Sequence, residues 1–392
     1  MTFKPKNRQE NLQTNFEEFS NGATKLKSLP PVLFVELTQN CNLNCSMCRS
    51  AQGYQKELNM NDDIFNLILE ELFPYASIVD LRGYGESTIL KNFEERIIQT
   101  ALLVPKIRLV TNALAIKKDL WRLLMQKGAS VVVSVDSSTE ETMNKLGRGS
   151  FDKLLSSLVI GSKERDRNNN NGNISFNTVI SSLNLEELKD IILMAKQYGI
   201  KRVTMFPAVV KKDNPLNLEN RKPELAKYLF EAETTAIQNE IELRLGASLD
   251  ESHVVQEGLP NRCSHPWEYC NIDYSGNVSY CDHLIGHTAL MLGNLKENTF
   301  DEIWNGSKFQ ELRAIHSRAK RGGTNEMSSL FPHCNWCYKR RYVDFEDDTN
   351  GDAKSRIIST NSCNPLIRLS ESEIVSTNFL GGRILPHITA IK

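Results

Sequence analysis

The sequence contains neither a long hydrophobic run nor an excess of either charge. No stretch of about 18 apolar residues occurs, and the N-terminus lacks the apolar core of a signal peptide, so we expect neither membrane spanning nor secretion. Lys and Arg number 47 against 48 Asp and Glu, a formal net charge of −1 that gives no overall field to attract nucleic acid or an anionic membrane. We therefore expect a cytoplasmic protein that binds neither.

Cysteine is absent from a long central part of the chain. The sequence has nine cysteines, but none lies between Cys48 and Cys263. In a reducing compartment an odd number of cysteines fits a disulfide framework poorly and is more typical of metal ligands or reactive thiols. Two separate groups of ligands or reactive thiols are therefore predicted.

Strand-like and helix-like patterns alternate through the first half of the chain. Six apolar, β-branched stretches are predicted as strands: 32–38, 77–86, 106–113, 130–137, 174–181 and 201–210. Amphipathic helical patterns separate them, and this α/β order indicates a parallel sheet with right-handed crossovers. Six repeats suit a partial (β/α)6 TIM-like barrel, whose chemistry would lie at the carboxyl ends of the strands.

The composition divides the chain into four predicted regions. Residues 1–30 are polar and are expected to form a loose N-terminal lead-in, followed by the barrel at 31–245. Residues 246–345 contain five cysteines and few apolar residues, which favours a small domain held together by metal. A polar, serine-rich tail occupies residues 346–392.

The first group of cysteines lies in the stretch CNLNCSMC, directly after the first predicted strand. Thiolates of Cys41, Cys45 and Cys48 on one loop can ligate an iron-sulfur cluster. A 4Fe-4S cluster needs four ligands, so its fourth iron would stay open to another molecule. A zinc site or unpaired structural cysteines are the alternatives. Structural zinc, however, prefers four ligands at short paired spacings, and no histidine lies nearby.

Residues 32–48, VLFVELTQNCNLNCSMC, resemble the C-x3-C-x2-C signature of the radical S-adenosylmethionine (SAM) enzymes. The resemblance implies that SAM binds the open iron through its amino and carboxylate groups. It further implies reductive cleavage of SAM to a 5′-deoxyadenosyl radical, which abstracts hydrogen from the substrate. A flavodoxin-type or ferredoxin-type electron donor is the implied partner. The cofactor carries the chemistry, while the protein supplies orientation and excludes water.

The same resemblance implies eight further cofactor-binding residues: Gly83, Tyr84, Gly85, Glu86, Ser134, Asp136, Arg148 and Asn177. The glycine turn that ends at Glu86 matches the family's contact with the SAM amino group, and the carboxylate of Glu86 suits an ammonium. Tyr84 departs from the family pattern. Ser134 and Asp136 correspond to the ribose contacts. Arg148 and Asn177 match positions that touch the carboxylate and the adenosine, and residues 199–206 match the adenine region.

The second group of cysteines resembles the auxiliary iron-sulfur domain of the SPASM and twitch subfamilies. The resemblance implies four ligands for an auxiliary 4Fe-4S cluster: Cys263, Cys281, Cys334 and Cys337. A full SPASM domain has further cysteines soon after the last pair, and YKRRYVDFEDD contains none, which favours the shorter twitch form. A four-cysteine zinc site is the alternative.

Cys270 and Cys363 are left over from these ligand sets. Either thiol is a candidate catalytic residue that donates a hydrogen atom to a substrate radical, or a buried small hydrophobe. Cys270 is also a candidate to replace one auxiliary ligand. Substrate-binding candidates are Tyr84 at the barrel mouth and three histidines near the auxiliary cysteines: His265, His283 and His287.

A fully ligated auxiliary cluster can accept an electron from a substrate radical, which favours net oxidation of the substrate. The first hypothesis is therefore an oxidoreductase that dehydrogenates or epimerises a small polar molecule, such as a sugar or an aminocyclitol, in natural-product biosynthesis. The alternative is a maturase that crosslinks or epimerises a ribosomally made peptide. Many peptide-modifying relatives carry a leader-binding domain before the barrel, and only residues 1–30 precede it here. A third hypothesis is a non-enzymatic metal scaffold or electron carrier.

Overall fold

The computed structural model describes residues 5–48, 55–169, 171–208, 210, 214–245, 264–281 and 291–318, with the strand pieces 341–342, 356–357 and 383–384. The helices are α1 (Arg8–Asn21), α2 (Asp62–Glu71), α3 (Phe93–Leu103), α4 (Lys118–Gln126), α5 (Glu140–Lys145), α6 (Phe151–Arg167), α7 (Leu188–Gln197), α8 (Lys222–Gln238), α9 (His265–Glu268), α10 (Phe300–Trp304) and α11 (Ser307–Arg318). The strands are β1 (Val32–Val35), β2 (Ile78–Asp80), β3 (Lys106–Thr111), β4 (Ser130–Ser134), β5 (Asn173–Ile180), β6 (Arg202–Pro207), β7 (Glu242–Leu245), β8 (Tyr269–Ile272), β9 (Asn277–Ser279), β10 (Gly293–Asn294), β11 (Arg341–Tyr342), β12 (Arg356–Ile357) and β13 (Arg383–Ile384).

One sheet of 11 strands organises the molecule, in the order β10-β9-β8-β1-β2-β3-β4-β5-β6-β7-β13. The six predicted strands are all present as β1 to β6, and each pairs in parallel with the next. Parallel β7 extends one edge of this barrel, and β8 pairs in parallel with the other side of β1. Because all these strands run the same way, their carboxyl ends lie together at one mouth.

The two faces of the sheet differ in what they bury. Leu33 and Val35 of β1 belong to the main core, which also contains the apolar faces of the surrounding helices. Side chains alternate along a strand, so the positions between them point into the barrel. There Val32 and Phe34 form a small separate cluster with Ile78 of β2 and Tyr269 of β8. This alternation decides which residues can reach the barrel interior.

The N-terminal segment differs from the loose lead-in that the sequence favoured. Residues 8–21 form α1, which begins with the side chain of Asn7 as its cap and ends at Gly22. The ring of Phe19 lies 5.5 Å from that of Trp267, and Asn15 Nδ2 donates to Trp267 O at 2.7 Å. The polar composition of this segment did not predict these contacts, because a few buried residues are enough to dock one face of a helix.

The C-terminal segment joins the barrel directly. Residues 269–272, within the predicted small domain, align with β1 from Val32↔Tyr269 to Val35↔Ile272 and so continue the barrel sheet. The hairpin of β8 and β9 then turns at Gly276, whose φ is 91°. Among the described residues, no helix is both long enough and apolar enough to cross a bilayer.

Candidate functional site

The cysteine loop follows β1 at the mouth of the barrel and is anchored by side-chain hydrogen bonds. Asn59 Oδ1 accepts from Thr38 Oγ1 at 2.6 Å and from Asn40 Nδ2 at 2.8 Å. Further along, the Ser46 amide donates to Leu146 O at 3.0 Å. The loop is therefore tied both to the segment before α2 and to the segment after β4.

Each predicted thiol ligand on this loop faces the end of a different strand. Cys41 Sγ lies 3.9 Å from Nδ2 of Asn112, which follows β3. Arg148 Nη1, from the segment after β4, donates to Cys45 Sγ at 3.4 Å. Cys48 Sγ lies 3.9 Å from the carbonyl of Tyr84, which follows β2. The three thiols thus lie at the barrel mouth, next to residues that follow three different strands.

Burial raises the pKa of the Cys41 thiol to about 11. It also raises the pKa of Cys45, an effect that the nearby charge of Arg148 opposes. Ligands of an iron-sulfur cluster must be thiolates, so binding a cluster here releases protons. In the part of the chain that the structure describes, no three His, Cys, Asp or Glu side chains already surround a common metal position. The donor chemistry and the placement of the loop nevertheless fit a cluster with three cysteine ligands.

Arg148 and Asp136 form a buried ion pair beside Cys45. Arg148 Nε lies 2.9 Å from Asp136 Oδ2, and Nη2 donates to Ser134 O at 2.9 Å. Burial alone would lower the pKa of Arg148, but Asp136 and Cys45 together raise it. The second oxygen of Asp136 accepts from the Val179 amide at 2.7 Å. Both oxygens of Asp136, predicted to contact ribose, are therefore used to hold Arg148 and β5 in place.

The glycine turn after β2 packs directly on the segment that leads to the cysteines. A Cβ on Gly85 would lie 2.4 Å from Thr38 O, so only glycine permits this approach. The Glu86 carboxylate is buried, and it accepts from Thr111 Oγ1 at 2.8 Å and from the Asn112 amide at 2.7 Å. Its charge also raises the pKa of the Cys41 thiol, so it lies close to the cysteine loop. Glu86 thus connects the ends of β2 and β3.

Ser134 and Asn177 lie side by side, because they are register partners on β4 and β5. By the alternation of the strands both occupy inward positions near the mouth. Asn177 is buried, and Ser134 is partly exposed. Arg148 lies next to this pair, since its Nη2 donates to Ser134 O.

Cys270 lies on the opposite face of β8 from the barrel interior. Its side chain is fully buried in the main core, while its neighbours Tyr269 and Asn271 occupy the inward positions. Burial raises the pKa of its thiol well above the ordinary value. This placement contradicts a role as hydrogen donor to a substrate in the mouth, and it agrees with the alternative of a buried small hydrophobe.

The remaining candidates divide between two locations. Cys281 is buried just after β9. His265 begins α9, before β8, and its ring lies 4.0 Å from that of Tyr269 at the amino end of the strand, away from the mouth. Six residues with predicted roles, four cysteines and two histidines, lie outside the described residues: Cys263, His283, His287, Cys334, Cys337 and Cys363.

Glu36 is a mouth residue that was not predicted from the sequence. It directly follows β1, and it accepts from the Tyr84 amide at 2.9 Å and from Gln39 Nε2 at 3.2 Å. Burial, and in smaller part Asp273, raises the pKa of Glu36 to about 7, although the Tyr84 and Tyr274 amides oppose the shift. In the sequence, the feature that could have identified Glu36 is a carboxylate within the apolar strand pattern VLFVELT. Glu36 joins the glycine turn to the β8–β9 hairpin.

Two family models match the chain. The model of the radical SAM superfamily matches residues 35–220, and the SPASM iron-sulfur cluster-binding domain matches residues 263–338. The mycofactocin maturase MftC of Mycobacterium tuberculosis is 26% identical over 330 residues, which cover 81% of this chain and 80% of MftC.

Solved structures share the fold at low identity. SuiB of Streptococcus suis, bound to the precursor peptide SuiA, matches with a TM-score of 0.60 and 14% identity over 77% of this chain and 70% of SuiB. The structure of anSMEcpe with bound AdoMet and Cp18Cys peptide matches with a TM-score of 0.57 and 18% identity, over 80% of this chain and 88% of anSMEcpe. These matches confirm the predicted partial barrel with its iron-sulfur domain.

Proposed function

The chain belongs to the radical SAM superfamily and carries a C-terminal SPASM domain, and from this premise we propose that it modifies a ribosomally made peptide. As a radical SAM enzyme of this kind it uses a SAM-binding 4Fe-4S cluster, an auxiliary cluster and SAM. When bound, these groups supply the radical that abstracts hydrogen from the substrate. The observation that supports the proposal is the cysteine loop, whose three thiols each lie next to a residue that follows a different strand.

The relatives favour the peptide alternative over dehydrogenation of a sugar or an aminocyclitol. MftC is a maturase, and its similarity to this chain extends over most of both proteins. SuiB and anSMEcpe, which share the fold, were each determined with a bound peptide. Leader recognition can come from a separate protein, so residues 1–30 do not decide between a peptide and a small molecule.

In this proposal Cys41, Cys45 and Cys48 ligate the SAM-binding cluster. Arg148, Ser134 and Asn177 lie beside the SAM molecule, with Asp136 as the positioning residue for Arg148. The proposed auxiliary ligands are Cys263, Cys281, Cys334 and Cys337. A flavodoxin-type or ferredoxin-type protein supplies the electron.

The substrate in this proposal occupies the mouth between the cysteine loop and the β8–β9 hairpin. The structure supports this position because β8 is hydrogen-bonded directly to β1, so both segments border the same opening. Glu36 bonds to the Tyr84 amide on one side of that opening and lies close to Asp273 on the other. Oxidation of the substrate removes a hydrogen atom, a proton and an electron. A carboxylate at this point would accept the proton.

The test is anaerobic reconstitution of the full chain, followed by incubation with SAM, a reductant and short peptides encoded beside its gene. We expect about eight irons per chain, from two 4Fe-4S clusters. We also expect formation of 5′-deoxyadenosine and a peptide about 2 Da lighter for a crosslink, or about 1 Da heavier in deuterated water for an epimer. Cys45→Ser is the inactive control.

The competing hypotheses predict different products. A sugar or aminocyclitol dehydrogenase would leave every peptide unchanged and oxidise a member of a small-molecule panel. A metal scaffold or electron carrier would form no 5′-deoxyadenosine with any substrate. Either result would replace the peptide proposal.

A further inference from the structure

Asn112, which follows β3, contacts the cysteine loop through its side-chain amide. Nδ2 of Asn112 donates to Asn42 Oδ1 at 2.8 Å and lies 3.9 Å from Cys41 Sγ. The loop supplies a second donor to the same sulfur, because the Leu43 amide donates to Cys41 Sγ at 3.4 Å. Two N–H groups, one from a side chain and one from the backbone, therefore lie next to Cys41 Sγ.

The orientation of the Asn112 amide is fixed by its other contacts. Asn112 Oδ1 accepts from the Leu114 amide at 2.9 Å, and the residue is 7% exposed. A flipped amide would turn its oxygen toward Asn42 Oδ1 and its NH2 group toward the Leu114 N–H, which would lose both hydrogen bonds. The N–H groups of Asn112 must therefore face the loop, so this donor is oriented before any cluster binds.

The backbone of Asn112 contacts a buried carboxylate. Its N–H donates to Glu86 Oε2 at 2.7 Å, while Thr111 Oγ1 donates to Glu86 Oε1 at 2.8 Å. Burial is the main reason that the pKa of the Cys41 thiol is raised, and the charge of Glu86 adds to this effect. Asn112 therefore contacts both a group that disfavours negative charge on Cys41 and, through its amide dipole, the sulfur that must carry that charge.

We propose that Asn112 acts through Cys41 to raise the reduction potential of the cluster at the cysteine loop, as a positioning residue for that ligand. This inference rests on the proposed function. Reduction by one electron adds negative charge to the cluster and to its sulfur ligands, so an N–H directed at a sulfur stabilises the reduced state more than the oxidised state. A higher potential makes reduction by the flavodoxin-type or ferredoxin-type donor more favourable.

The test is a redox titration of the reconstituted full-length protein without SAM, monitored by EPR spectroscopy, for the wild type, Asn112→Leu and Asn112→Asp. The cluster at the cysteine loop is recognised because its EPR signal changes when SAM is added afterwards. Leu removes the donor at similar size. Asp keeps an oxygen for the Leu114 amide but replaces the donor by a carboxylate.

The potential should fall in the order wild type, Asn112→Leu, Asn112→Asp. At the midpoint potential of the wild type, the ratio of oxidised to reduced cluster should rise about tenfold in Asn112→Asp, which is a shift of about 59 mV for a one-electron couple. Asn239→Asp, before β7 at the opposite end of the barrel, is the control for an added charge and should keep the wild-type potential.

A purely structural role predicts the reverse order, because Asp preserves the contact with the Leu114 amide and Leu does not. Equal potentials in all three proteins, or a lower potential in Asn112→Leu than in Asn112→Asp, would overturn the proposal.

Asn42→Ala separates the donor from the tether to the loop. This variant breaks the bond between Asn42 and Asn112 but leaves the amide beside Cys41, so we expect the wild-type potential. A fall as large as that of Asn112→Leu would assign the effect to the position of the loop and contradict the proposal. Modification of a peptide by the wild type, measured separately, tests the proposed function without reference to these potentials.

Discussion

The guanidinium of Arg148 donates to Cys45 Sγ at 3.4 Å while it also pairs with the buried carboxylate of Asp136. One side chain thus couples the cysteine loop to the ends of β4 and β5. It also places a positive charge beside a thiol that must ionise to bind iron. The ion pair therefore holds the cysteine loop in place, and its cation favours the ionised form of the Cys45 thiol.

Replacing Arg148 by Met should separate these two contributions. The single variant leaves Asp136 as a buried, unpaired charge, so we expect a loss of about 3–5 kcal/mol in the free energy of unfolding of the apoprotein. The double variant Arg148→Met/Asp136→Asn should recover most of that loss. Urea denaturation measures both variants.

The double variant should remain defective in its cluster even when it is stable. Without the cation beside Cys45, we expect lower iron content or slower formation of 5′-deoxyadenosine after reconstitution. If the double variant retained wild-type values of both, Arg148 would have only a structural role.

Gly147 is predicted to be required for the cysteine loop. Its φ is +69°, and an added Cβ would lie 2.5 Å from Asn44 O, within the loop backbone. Gly147→Ala should therefore displace the loop and lower the iron content after reconstitution. Gly128→Ala is the matched control, because Gly128 has a φ of +67° but a Cβ there would meet nothing closer than 3.6 Å. Both variants pay about 1–2 kcal/mol for the left-handed conformation, so only a specific loss of iron supports the prediction.

Cys270→Ala should affect stability and not catalysis. The thiol is buried in the main core, so its removal should cost about 1–2 kcal/mol. We expect wild-type iron content and unchanged incorporation of solvent deuterium into the product, measured by mass spectrometry. Loss of deuterium incorporation in a stable Cys270→Ala protein would restore the hydrogen-donor hypothesis.

Glu36 should make the apoprotein less stable as the pH rises. Its pKa is raised from 4.5 to about 7, so between these values the folded chain binds more protons than the unfolded chain. Stability therefore falls through this window and levels off above pH 7. At 1.36 kcal/mol per unit, the loss is about 3 kcal/mol.

Urea denaturation of wild type and Glu36→Gln across this pH range tests that sign. The Gln variant should lack this part of the pH dependence, whereas Glu70→Gln, at an exposed position, should follow the wild type. Parallel curves for wild type and Glu36→Gln would show that Glu36 titrates normally.

Much of the fold could be predicted from the sequence because its determinants are local. A buried parallel strand is a short apolar run, and an amphipathic helix repeats every three to four residues, so β1 to β6 were visible without the structure. The spacing of Cys41, Cys45 and Cys48 is likewise a local property, and it placed the loop at the end of the first strand.

Only the tertiary structure decided which groups these elements bring together. Sequence cannot show that Cys270 faces the core, that Glu86 joins the ends of β2 and β3, or that α1 docks on Trp267, because each depends on contacts between distant parts of the chain. The contact between Arg148 and Cys45 has the same origin. The net charge of −1 over the whole sequence says nothing about which charged side chains meet at the barrel mouth.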